Sequence, residues 1–117
     1  MIYRIKTSGR KASFNMPSNE KAILKLIRKM IGHPIGCFNC LGGFAMYHNE
    51  EADVDGAHKL NETASKLAEV PISGSVVIVG NRFSPLTTDD IAFIEREIEA
   101  RKHHKINFPP PDHETYY

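Results

Sequence analysis

Cys37-Phe38-Asn39-Cys40 is the one stretch of the chain whose spelling has an obvious chemistry. Two thiolates at that spacing make half of a zinc site, and His33 and His48 would be the imidazoles to complete a tetrahedral shell. No second Cys-x-x-Cys exists, His33 precedes a proline, and Gly36, Gly42 and Gly43 already account for the stretch as a hairpin. The expectation is therefore two packed thiols of a cytosolic protein and no metal. His58 with Asp53 and Asp55 spells an acid–base set on paper, but three polar residues in one turn read as a solvated loop. Gly-x-Ser-x-Gly, Walker, His-Glu-x-x-His and dinucleotide patterns are all missing. No catalytic residue and no cofactor is assigned, and the chain is read as a non-enzyme.

A second set of residues points to binding. Tyr47 and Phe83 offer faces on which a base can stack, and Lys59 and Arg82 offer cations for phosphate. Asn61 and Thr63 stand at a helix start, where free N–H groups favour an anion. Each has a bland reading: Asn61 as a helix cap, Phe83 as a core plug, Lys59 and Arg82 as surface charges. What joins them is that the Leu60-Asn61 turn and the loop after Gly80 flank the same strand in sequence, which predicts one shared pocket edge.

That strand is the strongest element in the chain. Val76-Val77-Ile78-Val79 is an unbroken β-branched run between Gly74 and Gly80, the pattern of a central strand covered on both faces. Ile2, Tyr3 and Ile5 predict a first strand, the turn Thr7–Arg10 closes a hairpin, and a second strand runs around Ala12–Met16. Ile23, Ile27 and Met30 recur at helical spacing after Pro17-Ser18-Asn19-Glu20, predicting a helix over Asn19–Ile31 whose other side carries Lys21, Lys25, Arg28 and Lys29. That basic side reads as a solvated face, with an anion or nucleic-acid surface as the sharper alternative. Pro34–Gly43 predicts two short strands about a turn at Asn39–Gly43, and Phe44–His48 continues as strand. Asn49–Gly56 reads as too polar for the core, and a short helix follows near Asn61–Ala68, ended by Val70-Pro71. Asn81–Pro85 is a loop, and Thr87 with Asp89 and Asp90 opens a last helix that Arg101–His104 closes with the sign the helix dipole favours.

A chain of 117 residues is enough for one core and too short for two, so residues 1–105 are read as a single α+β domain. The expected fold is an antiparallel or mixed sheet of about five strands with two main helices and one short one. Residues 106–117, rich in Pro and Tyr, form a tail that either frays or docks on a neighbouring subunit. A net charge of +1 argues against both an acidic phosphate mimic and a general binder of duplex DNA. No apolar run approaches the roughly 20 residues a bilayer demands. Met1–Lys6 enters an alternating pattern at once rather than an apolar signal segment, so the expectation is a chain that begins at Met1 and acts in the cytoplasm.

Five motifs in order carry a resemblance: Ile31-Gly32-His33, Asn49-Glu50-Glu51-Ala52, Leu60-Asn61-Glu62-Thr63-Ala64, Ser73–Gly80 and Phe83-Ser84-Pro85-Leu86-Thr87. Over roughly residues 1–100 the chain resembles a small domain-of-unknown-function family of tailed phages and mobile elements. That family has a Val-Gly-Gly-like turn, an Asn/Asp-Glu-Glu-Gly segment, a Leu-Pro-x-Asn-x-x-Ala helix start and a Gly-x-Val-Ile-Val-Gly strand. Ala52 replaces the family's Gly, His33 its second Gly, and one residue is inserted before Leu60-Asn61. The resemblance implies an accessory protein made in the cytoplasm of an infected bacterium, and it brings no active site with it. By analogy with small phage proteins that counter host defence, the expectation is a homo-oligomer that sequesters a small anionic ligand, a cyclic nucleotide immune signal above all. The alternative is an inhibitor that grips a host defence protein directly, through the basic side of the first helix or the tail.

Overall fold

The computed structural model describes residues 1–53 and 59–104. His58 and Asp55 of the paper acid–base set and the whole 106–117 tail lie outside them. In chain order the elements are β1 (Ile2–Ile5), β2 (Lys11–Phe14), α1 (Glu20–Ile31), β3 (Ile35–Cys40), β4 (Phe44–Asn49), α2 (Glu62–Ala68), β5 (Val76–Gly80) and α3 (Thr88–Ala100). Single turns of 3-10 helix occupy Glu50–Asp53 and Asn81–Phe83. The protein is an α+β fold built on one five-stranded sheet in the order β2-β1-β5-β4-β3, antiparallel at every junction.

The β-branched run takes the central place its composition demands, and all five residues of β5 are buried. Alternation along the strands then sorts side chains onto two faces. Ile2, Ala45, Val77 and Val79 meet Ile23, Ile27 and Ile31 of α1 on one face. Tyr3, Ile5, Met46, Val76 and Ile78 meet Ala64 and Leu67 of α2 and Ile94 of α3 on the other. The core is thus two layers with β5 shared between them. Among the described residues no helix is long and apolar enough to cross a membrane.

Local chemistry sets the helix ends. Asn19 accepts from the Ala22 N–H at 2.8 Å to start α1, and Thr87 and Asp90 form a reciprocal capping box on α3. Asn49 ties three elements together: its amide donates to the Ile31 carbonyl at the end of α1, and its oxygen accepts from Glu51 and Ala52. That clamp turns Ala52 inward to 2% exposure, so a segment whose composition is too polar for the core sends Ala52 into it.

Candidate functional site

The six residues expected to share one pocket edge divide between the two faces and the two ends of β5. Tyr47 stands on the α1 face, opposite Val77, between Cys37 of β3 and the centre of the sheet. Phe83 reaches it from beyond the far end of β5, and the two rings lie nearly parallel, 12° apart with centroids at 5.6 Å. At that separation the rings are offset-stacked, so each keeps one face covered by the other. A base would stack on the outside of the pair and not between its members.

The turn that delivers Phe83 is strained. Arg82 and Phe83 both have positive φ, 57° and 58°, where the Cβ of an ordinary residue crowds its carbonyl at a cost of roughly 1–2 kcal/mol each. Gly80 donates to the Ser84 carbonyl at 2.8 Å and Ser84 donates to the Asn81 carbonyl at 3.1 Å, closing the turn. Only glycine fits at 80, since an added Cβ would meet the Ser84 oxygen at 2.6 Å. The result is a half-buried ring at 83 and an exposed guanidinium at 82. Beside Phe83, a hollow of about 280 Å³ opens among Met16, Pro17, Ser18, Ile23 and Pro85, at the start of α1.

Electrostatics grade this corner. Lost hydration pushes the Tyr47 hydroxyl up to about 12, reinforced by the charge of Cys37, a hydrogen bond with Cys37 and the charge of Glu20. A phosphate would be repelled by Glu20 and drawn to Arg82, so the polar end of any ligand belongs on the Arg82 side.

The other three residues are elsewhere. Asn61 is fully buried, and its polar atoms are all engaged: the amide donates to the carbonyls of Ile5 at 3.0 Å and Gly74 at 2.9 Å, while its oxygen caps α2 through the Ala64 N–H. It is a structural clamp whose side-chain polar atoms are all used within the fold. Thr63 is half-buried in a groove of about 240 Å³ between α2 and α3, lined also by Glu62, Lys66, Ile98 and Lys102. Lys59 is exposed, its carbonyl accepting from Gly74 before the start of β5. Lys59 and Arg82 thus flank opposite ends of a strand that spans about 13 Å. Adjacency to one strand in sequence had suggested adjacency in space; a strand separates what it connects.

The Cys-x-x-Cys spelling dissolves for a related reason. Three positions along a strand reverse the side chain, so Cys37 stands exposed on the α1 face beside Tyr47 and Cys40 is buried in the opposite core. Burial raises Cys40 to about 11, with Cys37 adding to the rise and Arg101 opposing it. His48 stacks on Phe38, centroids 4.6 Å apart. Among the described residues no group of three or more His, Cys, Asp or Glu could hold a metal ion.

Sequence reasoning missed two features. Arg82 and Phe83 carry no signal of positive φ, which Gly or Asn would have supplied. The second is that Arg101, while pairing its Nε with Glu97 of α3 at 3.3 Å, also donates to the Lys66 and Leu67 carbonyls of α2 at 2.9 and 3.3 Å. Comparison of the chain with protein-family models, with curated proteins and with solved structures finds no match.

Proposed function

We propose that this chain is a non-enzymatic binding protein that sequesters a small anionic ligand carrying an aromatic base, a cyclic nucleotide immune signal, as a phage accessory protein in the cytoplasm of an infected bacterium. The phage setting rests on the motif resemblance. The binding chemistry rests on one observation: two successive non-glycine residues held at positive φ place Phe83 on Tyr47 and leave Arg82 exposed beside them. Strain retained at an exposed turn marks a position selected for something other than stability. The ligand's base stacks on the outer face of the Tyr47–Phe83 pair, and Arg82 supplies the cation for its phosphate.

The test is calorimetric titration with cyclic mono-, di- and trinucleotides. Phe83→Ala removes a stacking partner worth about 1–3 kcal/mol per base, a loss of roughly 5- to 150-fold in affinity. Arg82→Gly weakens binding as well, yet raises stability by about 1 kcal/mol because glycine relieves the positive φ. Lys59→Ala changes nothing, being at the wrong end of β5. Silence toward the whole panel would sink the reading.

One observation favours the rival, a direct inhibitor of a host defence protein. Lys21, Lys25, Arg28 and Lys29 are all exposed on α1, and none makes a salt bridge with any described residue. Recovery of a single stoichiometric host protein, lost on reversing these charges, would decide for it.

A further inference from the structure

The two edges of the sheet differ. β2 is four residues long and opens with Lys11 next to Arg10, the kind of charge that guards an edge against pairing. β3 is six residues long, Ile35-Gly36-Cys37-Phe38-Asn39-Cys40, with no charge and no proline. The Glu50 N–H donates to the Pro34 carbonyl at 3.0 Å, and the register pairs Gly36 with His48 and Phe38 with Met46. Antiparallel ladders alternate, so the even-numbered positions bond inward to β4 and the backbone groups of Ile35, Cys37 and Asn39 point out of the sheet. Among the described residues no backbone group pairs with this row of donors and acceptors.

We propose that a second copy of this chain seats on that edge, β3 against β3 in antiparallel register centred on Cys37, and that the pair completes the ligand site. The occupant follows from self-complementarity. A two-fold through Cys37 matches Ile35 with the partner's Asn39 and Gly36 with the partner's Phe38, pairs every outward group of both copies and opposes no like charges. Such a two-fold stands perpendicular to the sheet, so both copies keep the same face up. The Tyr47–Phe83 platforms then lie on one face of a continuous sheet, three strand spacings or about 14 Å apart. Exposed Cys37 and Asn39 of both copies floor the space between them. Two platforms related by a two-fold suit a ligand with two bases related by a two-fold, which is a cyclic dinucleotide. This deepens the reading above and rests on it.

Native mass spectrometry of the full chain, with cyclic diguanylate, cyclic diadenylate and cyclic AMP as probes, tests both parts. The wild type is expected as a dimer binding one cyclic dinucleotide. Cys37→Lys places two ammonium groups face to face, and Asn39→Pro removes an outward N–H that the β3–β4 ladder does not use. Each is expected to be monomeric with unchanged far-ultraviolet dichroism and to bind the dinucleotides about tenfold or more weakly, the worth of one lost stacking platform. Mixing Cys37→Lys with Cys37→Glu is expected to restore dimer and binding together. A monomeric wild type, a Cys37→Lys dimer, or monomeric variants with wild-type affinity would each overturn the proposal, the last leaving single-chain nucleotide binding intact. An edge-dependent dimer indifferent to all three probes would overturn nucleotide sequestration itself and the composite site with it.

Discussion

Asn61 shows how one residue type can be legible in kind and misread in role. Its place before an apolar-periodic stretch announced a helix cap, and it is one. Nothing in the sequence told that its amide would also close the carbonyls of Ile5 and Gly74, because those partners come from chain positions far apart. Asn61→Ala would strip a cap and orphan two buried acceptors, a loss of about 3 kcal/mol by urea denaturation. Asn61→Asp should be worse, since it keeps the cap but sets an anion against two carbonyls. If Asn61→Ala instead kept full stability and lost ligand affinity, the clamp would be the wrong account. Tyr47 yields a pH prediction. Its phenol ordinarily titrates near 10.0 and is pushed up to about 12 in the fold, so the fold favours the neutral form. That contribution is present in full below pH 10.0 and is lost as pH rises through about 12. Tyr3, buried and donating to Glu95 at 3.1 Å, is raised in the same sense, so the informative quantity is the difference between wild type and Tyr47→Phe. Urea midpoints over this alkaline window should fall less steeply in the variant.

Elements follow the sequence wherever a period or a cap spans neighbours along the chain. The isoleucine stripe of α1, the capping box of α3, the β-branched run of β5 and the glycine-punctuated β3–β4 hairpin all took the form their local pattern predicts. What failed was anything decided between elements. Arg101 was expected to close its own helix, and its charge does stand at the end of α3. Its guanidinium, however, satisfies the last carbonyls of α2, while Lys66 returns a bond to the Lys102 carbonyl at 2.6 Å. Two helix ends thereby finish each other, a relation that no single-helix rule contains. Arg101→Met should keep the aliphatic packing, lose these bonds and cost about 1–3 kcal/mol. Hydrogen exchange should speed up at the end of α2 and leave α1 unchanged. Uniform acceleration across the molecule would mean that the contact has no local role.

At the scale of the whole molecule the near-zero net charge conceals a division. Residues 1–33 hold eight of the fifteen Lys and Arg but one of the fourteen Asp and Glu. The fold collects four of those cations on the solvent side of α1, while α3 on the opposite layer carries Asp89, Asp90, Glu95, Glu97 and Glu99. Composition alone could not show this, because a total says nothing about which layer a charge occupies. The division also separates the two readings of function. A nucleotide held at Tyr47, Arg82 and Phe83 is bound at the end of β5, whereas a protein partner drawn by charge would sit on the flank of α1. Arg28→Glu with Lys29→Glu changes two exposed residues in the last turn of α1, about 12 Å along the helix from Glu20, and should cost about 1 kcal/mol or less each through the helix dipole. If sequestration is the function, nucleotide affinity in moderate salt stays within about twofold of wild type, since exposed charges beyond a Debye length of roughly 8 Å are screened. If a host protein is the target, the same pair of changes should slow association severalfold or more, with an effect that grows as salt is lowered. Association kinetics measured across a salt series therefore choose between the two readings with a single variant.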